Sequence, residues 1–410
     1  MSAFPLSPNP FAPRTSRLHP VTEFNEEFQR LLNGTQSVAR SQNAHFYVYS
    51  TSLADGRGDV FVALGLARAL DKRGWGVSFS AIEDWEKALD PATTVTISML
   101  SGAAPWDDDH PAVRIGWVRN ATDEWVHQPH LQDFDALLAS SALSADRLRS
   151  VFDGAVDVMP IAVDPELFQD RRLERSVDVC VTASYWGHER RLFEDLRNLG
   201  SGIEVEWYGQ NLTSLEGIPP HVSIREPVDY LAIPNLYARS KIVLDDVAPA
   251  AREHGSQNSR LFEALAAGAL VVTNLDTGLS ELGLDEVPVV HDQEDLEDLL
   301  RHLLEDPQEL RARAQRLRAI VMRDHTFAQR AETFCEFLKV AQVNAVSRHH
   351  RSRLRRENVR LSQQVLELSE EVMEARAQLQ DARDEISRFR NRLAVRVADR
   401  IAPLLPHRPR

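Results

Sequence analysis

The chain has 410 residues, 43% of them hydrophobic, and a formal net charge of −14 at pH 7. That is enough apolar content for two cored domains with appendages, while the acidic balance excludes a chain that grips nucleic-acid phosphates. Cys180 and Cys335 are the only cysteines, far apart and without ligand-like spacing, which excludes a disulfide scaffold or zinc site and fits a reducing cytosol.

Residues 1–43 read as a proline-rich flexible lead followed by a short amphipathic helix carrying Phe24, Phe28, Leu31 and Leu32. Prolines stand where a secretory leader needs an apolar core. The longest apolar stretch, Ala264 to Val272, is about half of a bilayer span. No membrane crossing is expected, and the expected localisation is cytoplasmic.

From His45 the pattern alternates. HFYVYSTS predicts a strand, ADGRGD a turn and VFVALGLARALDKRG a helix ending at Gly74. GVSFSAI, ATTVTISML, VRIGWVRN and DALLASS predict further strands, the last leading into a helix from about Ser144. The run VDVMPIAVDPELF, with Pro160 and Pro165, breaks the rhythm and marks an exit from a first domain. VDVCVTAS, IEVEWYG, KIVLDDV and ALVVTNL then predict strands. ERRLFEDLRNLG, DYLAIPNLYARS and SRLFEALAAG predict the helices between them, and EDLEDLLRHLLED opens a helical close running to about Val346. Alternating strands and helices predict doubly wound parallel sheets, so the fold class is α/β. The expected boundaries are 44–160 for an amino-terminal Rossmann-like acceptor domain and 161–342 for a carboxyl-terminal nucleotide-sugar domain, the two facing a cleft. A basic linker at 343–353 precedes a coiled coil at 354–393 and a basic tail at 394–410.

The coil rests on Asn358, Val365, Val372, Leu379, Ile386 and Leu393, which recur every seven residues, with a second seam of Leu354, Leu361, Leu368, Ala375, Ala382 and Phe389. Such a pattern predicts a parallel homodimer, with Asn358 fixing register. From Arg388 onward there are seven arginines against one acid, Asp399. Phe389, Leu393, Val397 and Ile401 alternate with them, a composition suited to peripheral contact with an anionic membrane or to docking another protein.

Ligands of doubly wound domains bind at the carboxyl ends of strands. Two places qualify. In STSLADGRGDV (50–60), Gly56 and Gly58 permit close backbone approach and Asp59 can cap the helix, although Phe61 replaces the third glycine of a dinucleotide fingerprint. In HGSQNSRLFEALAAGALVVTN (254–274), Ser256, Asn258 and Ser259 lie at a helix start, where free amides and the helix dipole favour a diphosphate. Glu263 follows one turn later among apolar neighbours and can accept two hydrogen bonds from vicinal ribose hydroxyls.

This second stretch resembles the carboxyl-terminal signature of the group 1, GT-B glycosyltransferases, in which a serine-rich helix start, a ribose-binding glutamate and an Ala/Gly-rich turn precede a strand. The likeness extends over about residues 45–342, and the Ser-x-Arg-x-Phe-Glu-like helix start is nearest the spore-maturation (CgeB-like) branch. It implies a GT-B architecture and a glycosyltransferase using a nucleoside diphosphate sugar as co-substrate, with no cofactor and no metal. The acceptor would be a glycan, a lipid-linked sugar or a protein. Glu263 would hold the donor ribose, Ser259 and Arg260 would lie at the diphosphate, and Gly56 and Gly58 would border donor and acceptor. The family's first glutamate falls on Gly255, so that carboxylate is missing.

Arg190 and Arg191 stand where relatives carry a basic phosphate clamp, which would neutralise a departing diphosphate; a helix-surface pair is the competing reading. Asp123, His127 and Asp55 are candidate acceptor bases. His188 reads as a loop histidine, and Asp107, Asp108 and Asp109 as a solvated loop. Two further readings stay open: a non-catalytic glycosyltransferase-like scaffold that recruits partners through its coil, and a GT-B-shaped epimerase.

Overall fold

The computed structural model describes residues 19–102, 110–185, 191–291 and 293–346 (backbone only at 19–21 and 293–295), with scattered helical positions between 361 and 388. Residues 1–346 form one unit and 347–410 another.

Helix α1 (His19–Leu32) buries Phe24, Phe28 and Leu31, one stripe at helical spacing. The first sheet follows: β1 (Asn43–Tyr47), α2 (Gly58–Lys72), β2 (Gly76–Ser80), β3 (Val95–Ser98), β4 (Val113–Val118), α3 (Thr122–Val126), β5 (Ala136–Ala139), α4 (Ala142–Arg149) and β6 (Ala155–Val158). Its strands are all parallel in the order β2-β1-β3-β4-β5-β6. With helices on both faces, a strand such as β4 is buried along its whole length, which is why VRIGWV reads as a nearly continuous apolar run. Strand β6 lies inside the run whose prolines signalled a domain exit. The exit begins after it, at Met159 and Pro160.

The second sheet is built from β7 (Val177–Thr182), α5 (Arg191–Arg197), β8 (Val205–Tyr208), β9 (Val222–Arg225), α6 (Ile233–Ala238), β10 (Ser240–Asp245), α7 (Pro249–Arg252), α8 (Ser259–Ala266) and β11 (Leu270–Thr273). The order is β11-β10-β7-β8-β9, again parallel. The segment expected as one helix over 229–240 starts later. Pro234 sits in the first turn of α6, where a missing N–H costs nothing, and Tyr230–Ala232 forms a tight 3-10 turn ahead of it.

Helices α9 (Gln293–Glu305) and α10 (Pro307–Asp324) cover the second sheet. The last helix, α11 (327–346), then returns to the first lobe. Phe327 fills the space above Gly65 of α2 so closely that a Cβ there would lie 2.1 Å from its ring. Phe334 packs edge-on against Trp75 at 6.0 Å, and Asn344 donates to the Asp135 carbonyl at 3.1 Å. The two interlobe crossings lie side by side: Val163 and Thr326 form a parallel bridge, and Arg330 Nε donates to the Pro160 carbonyl at 2.6 Å.

Of the expected coil, Leu361, Leu368, Val372, Ala375, Leu379 and Ile386 are described; each is helical and exposed. Leu354, Asn358, Val365, Ala382, Phe389 and Leu393, and the whole of 394–410, lie outside the described residues. Among the described residues, no helix is long and apolar enough to cross a membrane.

Candidate active site

In the second sheet the strand order reverses between β7 and β10, the switch point at which a doubly wound sheet leaves a crevice at its strand ends. Thr182 ends β7, Asp245 ends β10, and the start of α8 points at the gap. Asn258, the residue before α8, has extended backbone (ψ 158°), and its side chain does not cap the helix. Its amide instead donates to Asp245 Oδ1 at 2.9 Å and to the Asp246 carbonyl at 3.3 Å. The first N–H groups of α8 therefore keep the electropositive character that suits an anion.

Arg260 spans the gap. Nη1 donates to Asp245 Oδ1 at 2.7 Å, Nε to Thr182 Oγ1 at 3.0 Å, and Nη2 to the Thr182 carbonyl at 2.6 Å. Burial disfavours its charge, but Asp245 outweighs that and holds the proton more tightly than usual. This guanidinium ties the two strand ends together, with a donor from each of its three nitrogens spent within the protein.

Glu263 lies one turn on and is 5% exposed. Tyr230 Oη donates to its Oε1 at 2.8 Å, and the Ser259 hydroxyl also bonds the carboxyl. Burial raises the Glu263 pKa from 4.5 to about 7, against the opposing pull of Tyr230, Arg260 and Ser259. Tyr230 is itself clamped between two rings: Phe61 of α2 stacks on it at 3.8 Å and 12°, and Phe168 meets it edge-on at 5.7 Å. Sequence reasoning missed Tyr230 because it read that segment as helix interior. Pro234 was the signal that a turn precedes.

Gly255, where the resemblance places a first glutamate, has φ +68°, and a Cβ there would meet Thr277 Cγ2 at 2.8 Å. The backbone leaves no place for a side chain, so the missing carboxylate is a feature of the loop's conformation.

The other candidates are spread across the interlobe seam. Ser256 is buried, and its Oγ accepts from Ser140 Oγ of the first lobe at 2.7 Å, so it joins the lobes rather than facing a ligand. Asp123 lies between Arg147 Nε at 2.9 Å and His254 Nε2 of the second lobe at 3.0 Å. Those partners, His254 first and Arg147 second, hold its carboxyl below the usual range, which is unfavourable for a base. His127 is exposed, with Nδ1 at 2.6 Å from the Asp123 carbonyl.

Gly56 lies in an exposed loop and Gly58 is the exposed first residue of α2, with nothing within 4 Å of where their Cβ atoms would be. Asp55 accepts from Ser50 Oγ in the same loop, and Arg57 covers the Tyr49 ring at 4.3 Å. Asp59 accepts from the Tyr49 amide at 2.7 Å and so ties the start of α2 to the end of β1.

Arg191 turns back on its own helix, toward Asp195 at 3.6 Å. Arg190, His188 and the triplet Asp107, Asp108 and Asp109 lie outside the described residues. One residue not singled out from sequence is Arg119, beyond the end of β4. Its Nη2 donates to the Met99 carbonyl at 3.1 Å, and its buried Nε has no partner.

Asp123, Glu253 and His254 bring ligand atoms within 4.8 Å of one another. A cation there would replace the His254–Asp123 hydrogen bond, while Arg147 already pairs the other carboxylate oxygen. A cavity of about 410 Å³ lined by Arg172, Arg175, Lys241 and Arg311 opens at the opposite end of the second sheet. Doubly wound domains do not place their ligands at that end.

Solved structures share this fold over about three quarters of the chain. A sucrose-phosphate synthase from Thermosynechococcus elongatus superposes with a TM-score of 0.56 at 13% identity, covering 73% of this chain and 98% of its own. HepE from Anabaena, solved in complex with UDP and glucose, gives 0.52 at 14% identity over 72% and 99%. AviGT4, a glycosyltransferase involved in avilamycin A biosynthesis, gives 0.53 at 16% over 73% and 98%. A search of curated proteins finds no match. Residues 182–336, from the end of β7 into α11, match a family model described as glycosyl transferase-like, and the two-lobed fold is GT-B.

Proposed function

We propose that this chain transfers a sugar from a nucleoside diphosphate sugar to a glycan, lipid-linked or protein acceptor, without a metal ion. The carrying observation is Glu263: a buried carboxylate one turn into a helix that starts at the strand-reversal crevice. Vicinal ribose hydroxyls can share such a carboxylate, and the adjoining amides of α8 suit a diphosphate. The glycosyl transferase-like match over 182–336 and the UDP and glucose in the HepE complex support this reading, and the Ser259–Glu263 helix start supports the CgeB-like branch.

A thermal-shift panel of UDP, GDP, ADP, CMP and dTDP tests the proposal, because a ligand bound only by the folded state raises its stability by RT ln(1 + [L]/Kd). A selective shift that vanishes in Glu263→Ala and survives EDTA is expected. No shift with any nucleotide would reject it.

A second reading, a non-catalytic scaffold, is favoured by the side-chain-free Gly255 and by the engagement of Arg260 and Asp123 within the protein. Turnover of the donor sugar with and without acceptor separates the two.

The partner within reach of the sequence is a second copy of the chain. Leu361, Leu368, Val372, Leu379 and Ile386 are all exposed on helix. In heptad numbering Glu371 and Glu385 fall at g, and Arg376 and Arg390 at e of the following heptads. A parallel, in-register pair opposes Glu to Arg, whereas an antiparallel pair opposes like charges. The basic tail would then sit in two copies at one end of the coil, where avidity strengthens a weak contact with an anionic membrane.

A further inference from the structure

We propose that Tyr230 is a positioning residue that makes the donor-binding carboxylate of Glu263 depend on the amino-terminal lobe. The proposal rests on the reading that Glu263 receives the ribose.

Three observations carry it. Tyr230 Oη is 2.8 Å from Glu263 Oε1, so its phenol fixes one carboxyl oxygen. Its ring lies flat on Phe61 at 3.8 Å, and Phe61 belongs to the first turn of α2, directly after the Gly56–Gly58 loop. Phe168, in the crossing between the lobes, closes the ring's edge at 5.7 Å. A phenol held on two sides cannot swing without losing stacking. The stacking that fixes Tyr230 against Glu263 is therefore supplied in part from the other lobe. Without Phe61, Tyr230 still donates to Glu263 but is held on one side only, by Phe168.

Charge follows the same route. From its own helix Glu263 is faced by Arg260 and Ser259, from the end of β10 by Asp245, from α6 by Tyr237, and from the turn before α6 by Tyr230. Asp164, in the crossing, faces Tyr230 in turn. Arg260, Ser259 and Tyr230 favour the carboxylate, while burial and Asp245 oppose it. Burial, then Glu263 itself, raises the Tyr230 phenol well above its ordinary value, so it remains a donor throughout the neutral range.

The test is nucleotide affinity as a function of pH, read by calorimetry with the nucleotide that shifts the wild type most. Tyr230→Phe keeps the stacked ring and deletes the donor. It should weaken binding about tenfold at pH 7 and move the midpoint of the pH dependence up by about one unit, since the ionised form has lost a hydrogen bond. Phe61→Ala keeps both polar partners and should move affinity and midpoint the same way by a smaller amount. It also serves where Tyr230→Phe folds poorly, and infrared titration of the carboxyl band in both variants gives the midpoint without ligand. A Tyr230→Phe or Phe61→Ala protein that binds with unchanged affinity and midpoint overturns this proposal alone. A wild type that binds no nucleotide overturns the functional reading, and this proposal with it.

Discussion

The phenol of Tyr230 donates to Oε1 of Glu263 at 2.8 Å, so a carboxyl group with a pKa of about 7 is held by a ring that Phe61 stacks from the other lobe. Such a carboxyl binds its proton more tightly when folded than the unfolded value of 4.5 allows. The stability this lends is present in acid and is lost as pH climbs from 4.5 to about 7. Glu263→Gln escapes the loss. It should match the wild type in urea unfolding near pH 4.5 and exceed it at pH 8 by about 3 kcal/mol. The same variant should no longer respond to nucleotide, so its gain in stability would come with a loss of binding.

Arg260 holds both ends of the strand reversal, Thr182 and Asp245. Arg260→Ala leaves Asp245, whose side chain is 0% exposed, without its cation. Removing one partner of a buried pair costs about 3–5 kcal/mol. Arg260→Met with Asp245→Asn should recover much of that, because no bare charge is then left inside. Chemical unfolding of the two variants measures the difference; equal losses would show that the ion pair is not what holds the crevice.

Gly255 should resist repair toward the family pattern. Gly255→Ala forces an L side chain into φ +68° and into Thr277 Cγ2, and is expected to lose about 2 kcal/mol. Thr277→Ser removes the methyl group and should return only the steric part. Gly255→Glu is expected to destabilise without raising donor affinity, and an increase in affinity would contradict the loop geometry.

Asp123 joins the lobes through His254, so its removal should loosen the seam rather than abolish chemistry. Asp123→Asn should lower donor turnover by about tenfold, below the 10²–10⁴-fold of a lost general base, with the shape of the pH–rate profile retained. A larger loss with a flattened profile would restore the residue to the role its sequence position suggested.

The exposed seam of Leu361, Leu368, Val372, Leu379 and Ile386 predicts self-association. Light scattering should give a dimer for the full chain, and Leu368→Glu with Leu379→Glu should give a monomer that still binds nucleotide. Exchange of the e and g charges on one copy only, Glu371→Arg with Glu385→Arg, should weaken the pair. A partner carrying Arg376→Glu and Arg390→Glu should restore it. A full-length monomer would remove the coil from the account.

The alternation of strand and helix was visible in the chain because parallel strands covered on both faces become nearly pure apolar runs, as in VRIGWV and KIVLDDV. Strand β9 escaped because VSIR is a short edge strand, mostly half-exposed, with little apolar signature. Glu263 was legible from a glutamate between apolar neighbours behind a polar helix start. Its partner was not, since Tyr230 and Glu263 are 33 positions apart and only the tertiary fold brings them together. Ser256 and Asp123 show the converse limit: residue type marked both as polar and loop-borne, but which lobe each would meet is set by packing. The return of α11 to the first lobe was equally hidden, because Phe327 and Phe334 look like ordinary helix core until Gly65 and Trp75 are placed opposite them.

That return has a consequence for how the protein is made. On a ribosome, residues 43–158 emerge first, yet the surface around Gly65 and Trp75 remains bare until 327–346 has left the exit tunnel. The first lobe cannot complete its core during its own synthesis. The second lobe, contiguous in sequence, can do so earlier, which places α11 at a late step in the folding of the first lobe.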